Sequence, residues 1–313
     1  LLIMLSRVAE RLYWLSRYLE RTEDTARIVS AYNHLIMDLP KGAEPGWDIM
    51  VQILDAEPYF HQRFRSVNEQ NVLKLLVADD GASCSIPYSI EAARENVRTT
   101  RDVLPEETWE LVNELSLFVR EVAPNSVGRR NRHAFLAEVI SRCQTINGLM
   151  ASTLTRDHAY SFIKVGRLLE CADMATRMVD VGAGDILDRD GSTSAFDPLL
   201  WGAMLQALSA GSAYRRQVGP LVDRNAVVNF VFLDTAFPRS VKFCMQGIGQ
   251  ELGRLANHDE PLRAVGRVWR RLNRLTKEDM TQAELHAFID DFQQQLNQLH
   301  TAIEEAWFRV ASA

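Results

Sequence analysis

Hydrophobic and polar positions in the first part of the chain form two interleaved stripes, both at helical spacing. Leu5, Val8, Leu12, Leu15, Leu19, Thr22, Ala26 and Val29 follow alternating steps of three and four, and so do Glu10, Tyr13, Arg17, Glu20, Asp24 and Arg27. On a helix of about 3.6 residues per turn, each set makes one continuous line. The polar line trails the apolar one by one or two positions. At about 100° per residue, the two therefore lie on different faces. The pattern returns twice. Ile90, Ala93, Val97, Thr100 and Leu104 make a seam, and Glu91, Arg94, Arg98 and Arg101 each follow it by one residue. Phe162, Val165, Leu169, Ala172, Thr176 and Val179 are shadowed by Tyr160, Ile163, Arg167, Glu170, Met174 and Arg177.

Nearly every other periodic segment also reads as helix, and no strand alternation bounded by turn signals is found. The pattern predicts a first helix over Ser6–Asp38, stopped by Leu39-Pro40-Lys41-Gly42. Short helices follow around Trp47–Ala56 and Asn68–Ala78, with Asp79–Ser83 as a loop. Ser85 or Pro87 starts a helix reaching Leu104, and Pro105-Glu106-Glu107 starts another, because Pro and acids suit the first turn. The basic loop Gly128–Arg132 leads into two long helices broken near Thr155–Asp157. Further helices are expected around Pro198–Gln217, Asn225–Leu233, Pro238–Asn257, Pro261–Thr276 and Gln282–Val310. The expected fold is all-α, a multi-helix bundle over residues 1–313, with the Gly-, Asp- and Ser-rich stretch Gly182–Asp197 as the candidate subdivision or a loop over a site. The first and central helices align at an offset of 150 residues, matching Arg17 with Arg167, Glu20 with Glu170, Glu23 with Asp173 and Arg27 with Arg177. Two related halves would produce this; so would chance likeness between Leu-, Ala-, Arg- and Glu-rich helices.

Composition narrows the function. A net charge of −6 and a pI near 5.7 give no bulk pull towards nucleic acid or an anionic membrane. No run of about 18 uncharged apolar residues appears, so no spanning helix is expected. Cys84, Cys143, Cys171 and Cys244 form no CxxC, which suits a reduced, cytoplasmic setting. The opening LLIMLSRVAERLYW is too charged for a signal peptide, and Met4 is a candidate natural start. Of 35 basic residues, 30 are Arg, the side chain whose planar fork pairs carboxylate or phosphate bidentately. A GC-rich genome gives the same bias, so position carries more weight than number.

Arg and Glu at these spacings pair along a helix surface or across a helix seam, for about 0.2–0.5 kcal/mol each. Gathered in one sheltered cleft, with guanidinium in surplus, they would instead call for an anion. Arg17, Glu20, Arg94, Arg98, Arg167, Glu170 and Arg239 are the candidates for such a cluster. Arg239 enters because Phe237-Pro238-Arg239-Ser240 fits a helix start, where free N–H groups favour an anion. A buried Glu20 or Glu170 with a raised pKa could also act as a general base. No Glu-x-x-His, HExxH, Walker A, GxGxxG or GxSxG pattern occurs, so no metal or cofactor is expected. Cys171 reads as a small buried thiol.

These residues carry a family resemblance. Leu5-Ser6-Arg7-Val8-Ala9-Glu10-Arg11-Leu12-Tyr13-Trp14, Arg17-Tyr18-Leu19-Glu20-Arg21, Ala93–Arg98, Glu107, Trp109, Gly166–Glu170, Ala172-Asp173-Met174, Leu233-Asp234 and Phe237–Val241 resemble the alpha-E family of bacterial all-helical proteins. The likeness covers essentially the whole chain. Two departures are Glu170-Cys171, where family members usually have Glu-Arg, and Ala82-Ser83-Cys84, where many carry Asn-Pro before Ser-Ile. The resemblance implies a partner: such proteins are encoded beside, or fused to, a circularly permuted ATP-grasp ligase, often near a transglutaminase-like peptidase. That setting implies synthesis or modification of a peptide, and the preferred expectation is a non-catalytic helical accessory of such a system, whose Arg/Glu seam binds an acidic peptide, an acyl phosphate or the partner. An enzyme using Glu20 or Glu170 as base, and a purely structural scaffold, are the alternatives.

Overall fold

The computed structural model describes residues 6–42, 44–187, 196–275 and 280–309. Among them are fourteen α-helices and no strand. They fall into two runs of seven that repeat each other in order: α1 (Ser6–Asp38), α2 (Asp48–Ile53), α3 (Glu57–Arg63), α4 (Glu69–Leu73), α5 (Ile86–Arg98), α6 (Glu106–Val122) and α7 (Arg129–Thr153), then α8 (His158–Leu187), α9 (Asp197–Ala207), α10 (Gly211–Gln217), α11 (Arg224–Leu233), α12 (Val241–Leu252), α13 (Asp259–Leu272) and α14 (Gln282–Ile303).

The connections repeat as closely as the helices. After α2 the chain reverses at Asp55 in the left-handed region (φ 52°), with the Ala56 N–H donating to the Val51 carbonyl; after α9 it does so at Ser209 (φ 56°), with Ala210 donating to Leu205. Asn68 caps the N-terminus of α4, and Asp223 that of α11. The Asp79 carboxylate then accepts the N–H groups of Gly81 and Ala82, as Asp234 accepts those of Ala236 and Phe237. Ser85 donates to the Asp79 carbonyl and caps α5; Ser240 donates to the Asp234 carbonyl and caps α12. Each turn thus satisfies the free N–H groups of the helix start that follows it. Packing repeats too: α5 and α7 lie on α1 as α12 and α14 lie on α8, while α9 crosses onto α1 and α2 onto α8. The two halves meet at α1 and α8, which are the central helices of the fold.

Several elements differ from the sequence expectation. The segment expected as one helix over Pro198–Gln217 is two, because Ser209 breaks it with positive φ. An additional helix, α3, stands between the two short ones expected after Trp47. The helix expected from Pro238 begins at Val241, leaving Pro238 and Arg239 in the preceding turn with Ser240 as its cap. Helix continues into Gly182–Asp197 as far as Leu187, and 188–195 lie outside the described residues, as do Thr276 and Val310 at two expected helix ends. That stretch occupies the place between α8 and α9 that residues 39–47 occupy between α1 and α2.

α1 is enclosed on most sides. Leu12, Leu15, Leu19, Ala26 and Val29 are buried as the apolar stripe requires, but Glu20, Glu23 and Asp24 are buried as deeply, at 0, 2 and 1% exposure. The central pair comes close at Gly166, where a Cβ would collide with the carbonyl oxygen of Tyr13 and the hydroxyl of Ser16. Gly166 is the counterpart of Ser16 at the same offset of 150, so equivalent positions of the two helices meet at this crossing. Gly166→Ala is expected to force the central helices apart and lower stability by about 1–3 kcal/mol. Gly148→Ala, at an open position on α7 with nothing within 4 Å, should raise it by about 0.5–1 kcal/mol. Thermal unfolding of both variants checks the opposite signs.

Candidate functional site

Around that crossing point the polar stripes of α1 and α8 face each other and exchange ion pairs reciprocally. Arg17 Nε donates to Glu170 at 2.6 Å, and Arg167 Nε donates to Glu20 at 2.9 Å. Farther along, Arg27 pairs with Glu23 on its own helix at 2.7 Å, and Arg177 pairs with Asp173 on its own at 3.1 Å. All four matches at the 150-residue offset therefore make equivalent contacts.

Each central carboxylate receives two guanidiniums, but the second comes from different places. Arg21, one turn beyond Arg17, takes the other oxygen of Glu170 at 2.6 Å. Its counterpart on α8 is Cys171, whose thiol contacts Glu20 at 3.1 Å. The second cation on Glu20 is Arg239, from the turn ahead of α12, at 2.5 Å. The equivalent position ahead of α5 is Cys84. Arg and Cys have exchanged places between the halves while the two-to-one pairing has been kept. Arg239 also reaches Asp24 at 2.8 Å and Glu23 at 3.4 Å.

Burial and charge set the protonation of this network. Burial opposes the charge on Glu170, but Arg17 and Arg21 outweigh it and hold the carboxyl at about 2. Burial likewise opposes ionisation of Glu20, and Arg239 and Arg167 hold it below its ordinary value. Burial pushes Asp24 the other way, up to about 8 against the pull of Arg239, with Glu20 and Glu23 adding to the rise. One oxygen each of Glu23 and Asp24 is buried without a hydrogen-bond partner. Desolvation raises Tyr13 to about 12; its hydroxyl meets Nδ1 of His300 at 2.8 Å, next to Arg17. A general base at neutral pH needs a raised carboxyl pKa. Glu20 and Glu170 are shifted down instead, because paired guanidiniums overcome the burial that was expected to raise them.

Of the seven sequence candidates, Arg17, Glu20, Arg167, Glu170 and Arg239 come together, and Arg94 and Arg98 do not. Arg94 Nε donates to Asn113 at 2.8 Å, its guanidinium pairs with Glu91 at 3.0 Å, and it lies 5.3 Å from the ring centre of Trp109. Arg98 pairs with Glu95 on the exposed face of α5. α5 is covered by α1 on one side and α6 on another, so a stripe one residue past its seam turns outward. Sequence reasoning left out Arg21 and Glu23 as site residues. The Glu20-Arg21 dipeptide and the spacing of Arg21 from Arg17 were the available signals. Among the described residues, Asp180, His286 and Asp290 could offer ligand atoms to a metal within 4.8 Å of one another, two of them on exposed residues.

The family model for Alpha-E, described as a predicted alpha-helical domain with a conserved ER motif, matches residues 4–308. The chain belongs to the Alpha-E family. Its only two Glu-Arg dipeptides are Glu10-Arg11 and Glu20-Arg21, and the second lies in the buried network, one residue on each central pair. The Alpha-E chain is 20% identical, over 96% of its length, to the uncharacterized proteins Mb2597 of Mycobacterium bovis and MT2643 and Rv2567 of Mycobacterium tuberculosis. It spans 36% of the length of those relatives. No solved structure matches it.

Glu170→Gln should cost about 3–5 kcal/mol, because Arg17 and Arg21 are left buried without their counter-charge. In the parent chain Glu170 titrates lower in the folded state (about 2) than its ordinary 4.5, so the folded form binds fewer protons across that window. The contribution, about 3 kcal/mol, is complete above pH 4.5 and is lost as pH falls towards 2. Urea unfolding between pH 2.5 and 6 should show this acid limb, roughly in that range, flattened in Glu170→Gln.

Proposed function

We propose that this chain is a non-catalytic helical accessory of an ATP-grasp-linked system for peptide synthesis or modification, acting in the cytoplasm beside a circularly permuted ATP-grasp ligase. The observation that carries the reading is one of extent. Essentially the whole chain corresponds to little more than a third of its relatives, so the helical unit occurs joined to a much longer polypeptide. The family resemblance supplies the ligase as partner, and a transglutaminase-like peptidase as a second one.

The central network supports an accessory role over a catalytic one. Its guanidiniums are each engaged by the chain's own carboxylates, and an incoming acidic peptide or acyl phosphate would have to displace one. Its service is to fix the two halves rigidly about the α1–α8 crossing. Docking then falls to the outward stripe of α5 and the start of α6, where the resemblance also has residues. There Arg101 stacks on Trp109 at 3.7 Å, with Arg94 at 5.3 Å from the same ring, beside a hollow of about 300 Å³ lined by Val97, Leu104 and Pro105. An aromatic ring flanked by arginines is the composition of interface hot spots.

Calorimetry with the purified ATP-grasp protein tests the reading. A saturable complex is expected, weakened at least about tenfold by Arg94→Ala or Trp109→Ala with the circular dichroism spectrum unchanged. Amide formation should require both proteins. Turnover by this chain alone would favour an enzyme, and binding indifferent to both substitutions would remove the docking face.

A further inference from the structure

The two halves diverge most tellingly at the start of their last helices. α7 and α14 share His-Ala-Phe, as His133-Ala134-Phe135 and His286-Ala287-Phe288. Phe135 and Phe288 are both buried, which fixes the register and gives the two histidines equivalent positions. In the second half, Nδ1 of His286 meets the carboxylate of Asp180 on α8 at 2.7 Å. The position on α1 equivalent to Asp180 is Ser30, which is too short and carries no charge. Ser30 and His133 line a common cleft of about 340 Å³.

The charge around that cleft has changed sign to match. The second half adds Asp290 on the far side of His286, at 3.5 Å; the first half has Ala137 there. In exchange the first half places Arg129 and Arg132 where the second has Gln282 and Leu285. Arg132 is only 5% exposed and is held by Asn33, Glu69 and the Val127 carbonyl. Arg129 pairs with the same Glu69 at 2.7 Å, so one carboxylate answers two guanidiniums and a positive charge is left over. His34 stands edge-to-face with His133 at 5.7 Å, and among the described residues neither imidazole hydrogen-bonds to a protein group. Trp47, Ile36 and Leu136 give the cleft an apolar wall.

We infer that this cleft binds a small carboxylate carried on an apolar body, with the carboxylate taking the place on His133 that Asp180 fills on His286. The histidines donate to the anion, the Arg129–Arg132–Glu69 group supplies the surplus positive charge, and the apolar part lies against Trp47. A cleft of this size is at the small end of ligand sites, enough for one compact molecule or one terminal residue. The two halves thus differ in the source of the anion: one supplies an internal carboxylate, and the other leaves the equivalent place open to an external one.

The test uses the full chain with phenylacetate as carboxylate probe and inorganic phosphate as the alternative oxyanion, followed by NMR of the imidazole nitrogens. Phenylacetate should shift His34 and His133 saturably in the millimolar range and leave His286 unmoved. Ser30→Asp, which supplies an internal carboxylate as Asp180 does, should weaken the probe by on the order of tenfold or more while the chain stays folded. His133→Ala should do the same. Phosphate binding without phenylacetate binding would overturn the carboxylate assignment. An unsaturated His133 response, or a Ser30→Asp variant that binds like the parent, would overturn the site.

Discussion

Two carboxylates, Glu20 and Glu170, are taken out of water at the middle of the molecule and each is answered by two guanidiniums. Everything central is arranged around that constraint. A buried carboxylate with no partner would cost several kcal/mol, and a single Arg leaves lone pairs unmet. The pairing across α1 and α8 satisfies both, and it works only if the helices approach closely, which Gly166 permits. Buried ion pairs are seldom more stable than packed hydrophobic ones. Their physical consequence here is register: a slip of either helix by one turn would strand four charged side chains, so the network selects one relative placement of the two halves.

The repeat explains why the pairing is reciprocal. Seven helices recur, with the caps of α4 and α5 matched by those of α11 and α12, and the central ion pairs recur with them. The recurrence is not strict. Arg21 and Cys84 in one half stand opposite Cys171 and Arg239 in the other, so the second guanidinium reaches Glu170 from a helix and Glu20 from a turn. Each carboxylate has the same two-guanidinium pairing, while the backbone element supplying the second differs. Away from the axis nothing enforces balance, and there the halves part: one holds an imidazole with its own carboxylate, the other surrounds an unpaired imidazole with arginine.

Much of the fold was legible in the chain because helical periodicity is local. The ends of α1, the cap at Ser85 and the break between α7 and α8 follow from spacing, Pro, Gly and capping residues. The break at Ser209 was not legible, since nothing in the side chain demands positive φ; the helix ends there because the repeat requires the turn made at Asp55. For the site, the offset that aligned Arg17 with Arg167 and Glu20 with Glu170 was the useful signal. The α5 stripe, Arg94 and Arg98, has the same spacing and yet faces outward, because periodicity tells which residues share a face and says nothing of what covers it.

Sequence alone determined that the chain is helical, where most helices start and stop, and which charged residues lie in line with one another. Those properties depend on neighbours a few positions away. Tertiary structure decided that α1 is enclosed on its polar side as well as its apolar one, that Arg239 reaches Glu20 from a distant turn, and that Glu170 stays ionised in the interior. Such outcomes depend on groups brought together across about 150 residues of chain or more, and the field at a buried carboxylate is the sum over all of them.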